Sequence, residues 1–373
     1  MTGATPSTND ESNYFPKEYC FVKPSDLPLN GVGSIHETEN YVSSKGLSVS
    51  RPLPAGSVLT TCIGTIGKVG LLLQEGCTNQ QINAVIPNNK INSRYLAYAL
   101  LSIRKQLEFI ANAPVVPIIN KKCFSKIHIG YPPKPTQLSI VSELDKINEL
   151  IRIKKEQLKD YDTLAQSIFY EMFGDPVVNE KGWEMKTLGH ICEITSSKRV
   201  FANEYVDTGV PFYRSKEVIE KSKQLPISVE LYISESHYNK IKSSFGVPQI
   251  GDILVTAVGT IGKIWVVDTN EPFYFKDGNL VWLRNIKGAH CEYFRYSLFY
   301  LIDEYKKVNA NGAAYNALTI AKLKLMLCPL PPLSLQQSFA QKIEQIEQQK
   351  AAIQKTITDL ETLLAARMQY WFD

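Results

Sequence analysis

The 373-residue chain has no run of about eighteen apolar residues, which excludes a membrane-spanning helix. Met1 to Glu11 lacks the basic start and apolar core of a secretory leader, and a cytoplasmic location is expected. Cysteine is sparse: Cys20, Cys62, Cys77, Cys123, Cys192, Cys291 and Cys328 are scattered, odd in number and without a C-x-x-C pair. That excludes a zinc ribbon or a disulfide frame and fits buried thiols in a reducing compartment. His36, His128, His190, His237 and His290 stand alone, without metal-ligand spacing, as surface or hydrogen-bonded structural histidines do. No G-x-x-x-x-G-K-[ST] phosphate loop occurs and no G-x-G-x-x-G opens a helix. Neither an Asn-Pro-Pro-aromatic nor an Asp-Pro-Pro-Tyr run marks an amino-methyltransferase, and no carboxylate cluster suits a nuclease. The chain is expected to be no enzyme.

What is present is the composition of a globular protein, 44% apolar and 21% charged, on a chain long enough for two domains. The net charge of +4 is unevenly divided. Residues 1–136 carry 13 Lys/Arg against 8 Asp/Glu and residues 176–334 carry 19 against 16, so both are basic. Residues 137–175 carry 5 against 8 and residues 335–373 carry 4 against 5, so both are acidic. A polyanion would be met by the basic blocks.

The chain repeats itself. Gly56-Ser57-Val58-Leu59-Thr60-Thr61-Cys62-Ile63-Gly64-Thr65-Ile66-Gly67-Lys68 returns 195 residues later as Gly251 to Lys263, ending in the same Gly-Thr-Ile-Gly-Lys. Phe21–Leu27 answers to Phe212–Val218, and Tyr41-Val42-Ser43 to Tyr232-Ile233-Ser234. Proline clusters (Pro132, Pro133, Pro135; Pro329, Pro331, Pro332) close each copy. Preserved order makes this a duplication. Short apolar runs bounded by glycine predict strands at 57–63, 69–73, 253–258 and 264–267, with one helix per copy at 93–110 and 292–307.

After each proline cluster an apolar residue recurs in unbroken 4-3 spacing. The first seam is Ile140, Leu144, Ile147, Ile151, Lys154, Leu158, Tyr161, Ala165 and Ile168. The second is Phe339, Ile343, Ile346, Lys350, Ile353, Ile357, Leu360, Leu364 and Arg367. Four heptads of this kind form a coiled-coil seam on a helix of about 50 Å, and proline suits the helix start. The alternative is that each helix lies flat on its own block. Two seams in one chain are satisfied by antiparallel pairing, which predicts an α+β chain with a pseudo-twofold internal repeat.

The Gly-Thr-Ile-Gly-Lys turns are too short for a phosphate loop, and Val69 or Ile264 follows the lysine. Paired glycines suit a tight turn between strands. The Thr and Lys also suit a DNA phosphate, which makes Thr65, Lys68, Thr260 and Lys263 candidates. Asn79, Gln80 and Gln81 follow the next strand in copy one, as Lys276 and Asn279 do in copy two. Loops before the last strands hold Asn112, Lys121 and Lys122, then Asn311, Tyr315 and Asn316. Lys23, Ser25, Arg214 and Lys216 occupy matching places near the start of each copy. Asn and Gln pair with adenine, and Arg and Lys with guanine or phosphate. For the Gly-Thr-Ile-Gly-Lys turns a turn role alone is an equal account, and for any single residue of the other loops ordinary turn chemistry is the better one.

In order and spacing the chain resembles the DNA specificity subunits of Type I restriction–modification systems. The resemblance rests on Gly3-Ala4-Thr5-Pro6-Ser7, Phe21–Leu27, both Gly-Thr-Ile-Gly-Lys turns, Thr78-Asn79-Gln80, Trp183–Gly189, the proline clusters and the helices after them. It implies target-recognition domains at 1–136 and 176–334 and spacer helices at 137–175 and 335–373. Each domain would read half of an interrupted, asymmetric DNA site, with the helices as a ruler for a gap of about five to eight base pairs. The implied partners are double-stranded DNA, two methyltransferase subunits and restriction–translocase subunits. S-adenosylmethionine, ATP and Mg would belong to those subunits, none to this chain. The competing expectation is a coiled-coil scaffold whose heads bind protein without DNA selectivity.

The copies differ at one place. Trp183–Ile194 reads as an opening strand before Thr195, whereas Met1-Thr2-Gly3 aligns near Thr195, about a dozen residues later. Three expectations follow: residues upstream of Met1, a tolerated sheet edge, or a partner that fills it.

Overall fold

The computed structural model describes residues 1–111, 117–309 and 317–372. Its contacts divide the chain into two units, Met1–Gln157 with Ile353–Asp373, and Leu158–Ala352. The long helices Lys134–Phe173 and Leu333–Phe372 both cross that division, so each unit holds one globular block and part of both helices.

In the first unit one sheet runs in the order Val32–Ile35, Val69–Leu72, Val58–Thr61, Ile82–Val85. The second unit repeats its last three strands as Ile264–Val266, Ile253–Thr256 and Leu280–Arg284, and adds Glu193–Thr195 at the edge. Register is conserved between them: Val58 faces Val85 and Leu59 faces Ala84, as Ile253 faces Leu283 and Leu254 faces Trp282. These central strands, rich in β-branched residues, are buried along their whole length. A smaller sheet recurs too, Tyr41–Val42, Tyr19–Val22 and Gly76–Thr78 answering to Tyr232–Ile233, Val210–Tyr213 and Tyr274–Phe275. Leu96 and Leu100 of one helix, and Phe294 and Leu298 of the other, close the larger sheets.

The helix expected at 93–110 is two helices, Ser93–Ser102 and Arg104–Ile110. The interruption falls at Ile103, whose side chain packs against two separate apolar clusters. The opening stretch of copy two is likewise not one strand. Glu184–Thr187 pairs with Leu327–Leu330, one helical turn covers Leu188–Ile191, and Glu193–Thr195 pairs with Leu280–Arg284. Leu188 and Ile191 are both buried, so the turn carries the chain from one sheet to the other while filling the core between them.

Both seams are where the spacing puts them. Ile140, Leu144, Ile147, Ile151, Phe339, Ile343, Ile346 and Ile357 are buried, and Leu158, Ile168, Ile353, Leu360 and Leu364 half-buried. In the first unit Ile140 and Leu144 meet Leu364, Met368 and Trp371. In the second Phe169 and Phe173 meet Phe339 and Ile343. Pairing is antiparallel in both. The alternative also holds in part, because the seams touch the globular blocks as well, through Tyr95 and Tyr98 in one unit and Tyr293 in the other. Two seam cations have carboxylate partners, Lys350 Nζ lying 2.8 Å from Asp162 and 3.1 Å from Glu347 and Arg367 pairing with Glu143, while Lys154 Nζ donates to Gln157 Oε1 at 3.0 Å.

One element of the repeat is invisible in the sequence pattern. Gln137 and Gln336, 199 residues apart in the first turns of the two helices, are fully buried. Gln137 Oε1 accepts the Asn92 N–H at 2.7 Å, and its Nε2 donates to the Lys90 and Pro132 carbonyls. Gln336 does the same with the His290 N–H, at 2.7 Å, and the Gly288 and Pro331 carbonyls. Each glutamine ties a long helix to the start of the helix on its sheet.

Candidate nucleic-acid interface

The two Gly-Thr-Ile-Gly-Lys turns share one hydrogen-bond network. In the first unit the Gly67 N–H donates to Thr61 O at 3.1 Å, the Lys68 N–H donates to Thr61 Oγ1 at 3.0 Å, and Thr61 Oγ1 donates to Thr65 O. In the second, Gly262, Lys263, Thr256 and Thr260 repeat each bond, the first two at 2.9 Å. Glycine is required at the second position for two reasons. Its φ is +76° at Gly67 and +83° at Gly262. A Cβ there would fall 2.7 Å from Arg104 Cγ or 2.8 Å from Ile302 Cγ2, so each turn lies directly on the neighbouring helix. Thr65 and Thr260 are left exposed at the tips.

The lysines differ. Lys68 Nζ donates to the Pro24 carbonyl at 2.7 Å, which brings the turn beside Lys23 and Ser25. Lys23 donates to Asn40 Oδ1 at 2.9 Å, and Ser25 is exposed. Lys263 is half-buried, with no hydrogen-bond or ion-pair partner for its ammonium among the described residues. Each turn is bound to the segment after its last loop: Ile119 N–H donates to Cys62 O at 2.8 Å and Leu318 N–H to Ala257 O at 2.9 Å. Lys121 and Lys122, both exposed, follow the first of these segments. Asn112, Asn311, Tyr315 and Asn316 lie outside the described residues.

The amide side chains divide by burial. Asn79 is buried, its Nδ2 donating to Gln81 Oε1 at 2.8 Å and its Oδ1 accepting the Gln81 N–H at 3.1 Å, so it holds the loop that presents its neighbours. Gln80 is exposed and accepts from Thr5 Oγ1 at 2.6 Å. Asn279 takes the place of Gln81 in the second unit, its carbonyl accepting the Ala257 N–H as Gln81 O accepts that of Cys62. Lys276 is exposed after the strand paired with Val210–Tyr213.

Arg214 and Lys216 are not free cations. Arg214 Nη2 lies 2.8 Å from Glu217 and 2.9 Å from Glu230, and Lys216 Nζ lies 2.7 Å from Glu230. The hydrogen bond that Arg214 donates to Glu217 raises the Arg214 pKa further. A phosphate there would have to displace these carboxylates. The acidic partners were outside the reach of sequence reading, as was Arg51, an exposed arginine in the first unit whose guanidinium donates to Thr2 O.

The chemistry of the remaining groups is quiet. Burial pushes the Cys62 and Cys77 thiols up to about 11 and those of Cys192 and Cys328 up to about 12, so none is a thiolate at neutral pH. Among the described residues no group of three or more His, Cys, Asp or Glu is placed to hold a metal ion, and no helix is long and apolar enough to cross a membrane. One carboxylate is strained by its setting. Burial raises the Asp252 pKa, opposed by bonds from the Gln249 N–H and Trp282 Nε1, each 2.9 Å from Oδ2. A raised carboxyl pKa weakens folding above the folded-state value and ceases to do so as pH falls toward the unfolded value. Asp252→Asn keeps an oxygen for both donors and removes the charge. It should raise Tm by a few degrees at pH 7, with the gain shrinking toward pH 4. An equal or lower Tm at pH 7 would disprove the burial cost.

The sequence profile described as Type I restriction modification DNA specificity domain matches residues 1–160 and 180–362, one match on each copy. The chain belongs to that family. This specificity-family chain is 27% identical over 274 residues to a Haemophilus influenzae chain assigned as type I restriction enzyme specificity subunit S.HindORF215P, covering 72% of this chain and 68% of that one. It is 27% identical over 239 residues to the MjaIX specificity subunit of Methanocaldococcus jannaschii, covering 58% of this chain and 55% of the relative. Little more than half of that second relative is spanned. Two solved chains share the fold. The S subunit of a type I system from M. genitalium aligns over 100% of this chain and 96% of its own, with a TM-score of 0.52 and 15% identity. A chain from a structural study of type I complex assembly and conformational transition covers 87% and 83%, with 0.56 and 21%. The resemblance read from the motifs is borne out.

Proposed function

We propose that this specificity subunit reads an interrupted, two-part DNA site, one part per basic block, and has no catalytic site of its own. The observation that carries this is the duplicated turn network, which presents Thr65 or Thr260 beside a lysine in two cation-bearing blocks. The recognition domains are residues 1–136 and 176–334; the spacers, 137–175 and 335–373, set the gap through two helices that belong partly to both units. The subunit works in the cytoplasm beside two methyltransferase subunits and restriction–translocase subunits. Those partners hold the S-adenosylmethionine, ATP and Mg.

Within each block the residues divide by role. Lys263, Lys276, Lys121, Lys122 and Lys23 are phosphate contacts, while Gln80, Gln81 and Asn279 face the base edges. Arg214 and Lys216 reach DNA only by exchanging Glu217 and Glu230 for phosphate oxygens.

The test is a salt titration and footprint of the chain assembled with its methyltransferase. Lys263→Ala should weaken binding to every sequence alike and lower the salt slope by about 1. Gln81→Ala should leave the slope alone and cut discrimination at one half-site by about 1–3 kcal/mol. Identical profiles for the two variants would refute these assignments, and a complex with no two-part footprint would leave the chain a scaffold.

A further inference from the structure

In each unit a loop reaches across to the turn that leads into Ile82–Val85 or Leu280–Arg284, and the two contacts fall at the same place. Thr195 pairs with Trp282, so the next residue stands beside Val281, which faces Val255. In the first unit Thr2 bridges Asn83, which faces Thr60, the equivalent of Val255. Three residues further on stand Thr5 and Arg199. The turns opposite align as well. The Asn79 N–H donates to Val22 O at 3.2 Å as the Lys276 N–H does to Tyr213 O at 2.8 Å, so Gln80 and Asp277 both come next. At this one place the first unit sets Thr5 Oγ1 against Gln80 Oε1 at 2.6 Å, and the second sets Arg199 Nε against Asp277 Oδ2 at 2.8 Å. The backbone is repeated while an uncharged pair is exchanged for a charged one.

The place adjoins the residues given above to DNA. Asp277 lies between Lys276 and Asn279, and the Asn279 carbonyl accepts the Ala257 N–H at the foot of the Gly-Thr-Ile-Gly-Lys turn. A fixed loop carries Arg199. The Lys198 N–H donates to the hydroxyl of fully buried Tyr274 at 2.6 Å, and Val200 is buried in the core. The Arg199 side chain is 66% exposed, that of Asp277 only 18%. The carboxylate holds the guanidinium by Nε, and neither Nη group has an acceptor among the described residues. Arg214 differs, since its Nη2 is already shared between Glu217 and Glu230.

We propose that Arg199 reads a guanine in the half-site of the second block, with Asp277 as its positioning residue. The inference rests on the DNA reading above and adds to it the residue and the base. Two Nη donors on one planar fork match the N7 and O6 acceptors of guanine. A phosphate is the poorer occupant, because the Asp277 carboxylate repels it while a base edge is neutral. Adenine sets its N6 amino group where guanine has O6, so donor meets donor and the wrong base is rejected outright. The first unit offers a different reader at the same place, Gln80 held by the Thr5 hydroxyl, as two unlike half-sites require.

The test takes the chain assembled with its methyltransferase and a pool of duplexes of randomised sequence, from which bound DNA is recovered and sequenced. The unaltered chain should select a two-part word containing a guanine whose enrichment falls about five- to hundredfold in Arg199→Ala. The other part of the word, which also shows that the variant is folded, and the salt slope should stay as they were. Asp277→Ala should reduce the same guanine preference without weakening binding to the pool as a whole, since it removes a negative charge. A word that Arg199→Ala leaves intact, or a lost base other than guanine, overturns the inference and leaves the DNA reading standing. So does a salt slope lowered by about 1 in Arg199→Ala, the mark of a phosphate contact, or a guanine preference that Asp277→Ala does not move. Failure of the unaltered chain to select any two-part word overturns both.

Discussion

Phe169→Ala should lower the stability of the Leu158–Ala352 unit by about 3–5 kcal/mol, among the costliest single truncations in the chain. Phe169 is fully buried near the end of the first long helix. Its ring centroid lies 5.6 Å from that of Phe339 on the second helix, 5.8 Å from Tyr293 and Tyr296 on the sheet-covering helix, and 5.2 Å from Phe173. One ring therefore joins three helices, and alanine leaves a cavity that none of the three can close without moving the others. Leu164→Ala is the control, since that side chain is 46% exposed on the same helix and should cost under about 1 kcal/mol. The measurement is denaturant unfolding followed by near-ultraviolet circular dichroism, which reports the aromatic stack. A loss below about 1 kcal/mol for Phe169→Ala would mean that the helix pair is held to its block by something other than this cluster.

How much of this was legible beforehand follows from what a linear pattern encodes. The seams were readable because a 4-3 repeat is a local signal: Ile140, Leu144 and Ile343 announce burial by spacing alone, and they are buried. The duplication was readable for the same reason, and the turn network at Thr61 and Thr256 shows that a repeated pentapeptide repeats its bonds. What failed to show was pairing across distance. Nothing near Arg214 in the sequence marks Glu230 as its partner. Trp183–Ile194 reads as one opening strand before Thr195, yet Leu188 and Ile191 turn the chain between two sheets. Glutamine is ordinarily a surface residue, so Gln137 and Gln336 lay outside any expected core. The site is the least legible part, since surface loops of Asn, Gln and Lys carry the same composition whether or not they touch DNA.

Gln336→Leu should cost about 3–5 kcal/mol, although leucine is apolar and of similar length. The substitution leaves the His290 N–H without its acceptor and the Gly288 and Pro331 carbonyls without a donor, all beside a side chain that is 0% exposed. The buried Pro331 carbonyl and the half-buried His290 N–H each cost about 1–3 kcal/mol when orphaned, not fully additively, while Gly288 is exposed and its carbonyl can turn to water. Gln336→Glu separates the two halves of the effect. A carboxylate still accepts from His290 but donates nothing and buries a charge, so at pH 7 it should be at least as damaging as leucine. Protonation gives it one O–H to donate, and burial raises its pKa, so stability should recover as pH falls toward 5 in the glutamate variant alone. Gln137→Leu should match Gln336→Leu within about 1 kcal/mol, because Asn92, Lys90 and Pro132 repeat the same three bonds. Thermal and urea unfolding read all three variants. Unequal losses, or a glutamate variant whose stability does not rise with acid, would show that the two glutamines do not do one job twice. Equal losses would fix the start of each long helix to its globular block by the same polar anchor, which makes the helix a rigid continuation of the block rather than a tether.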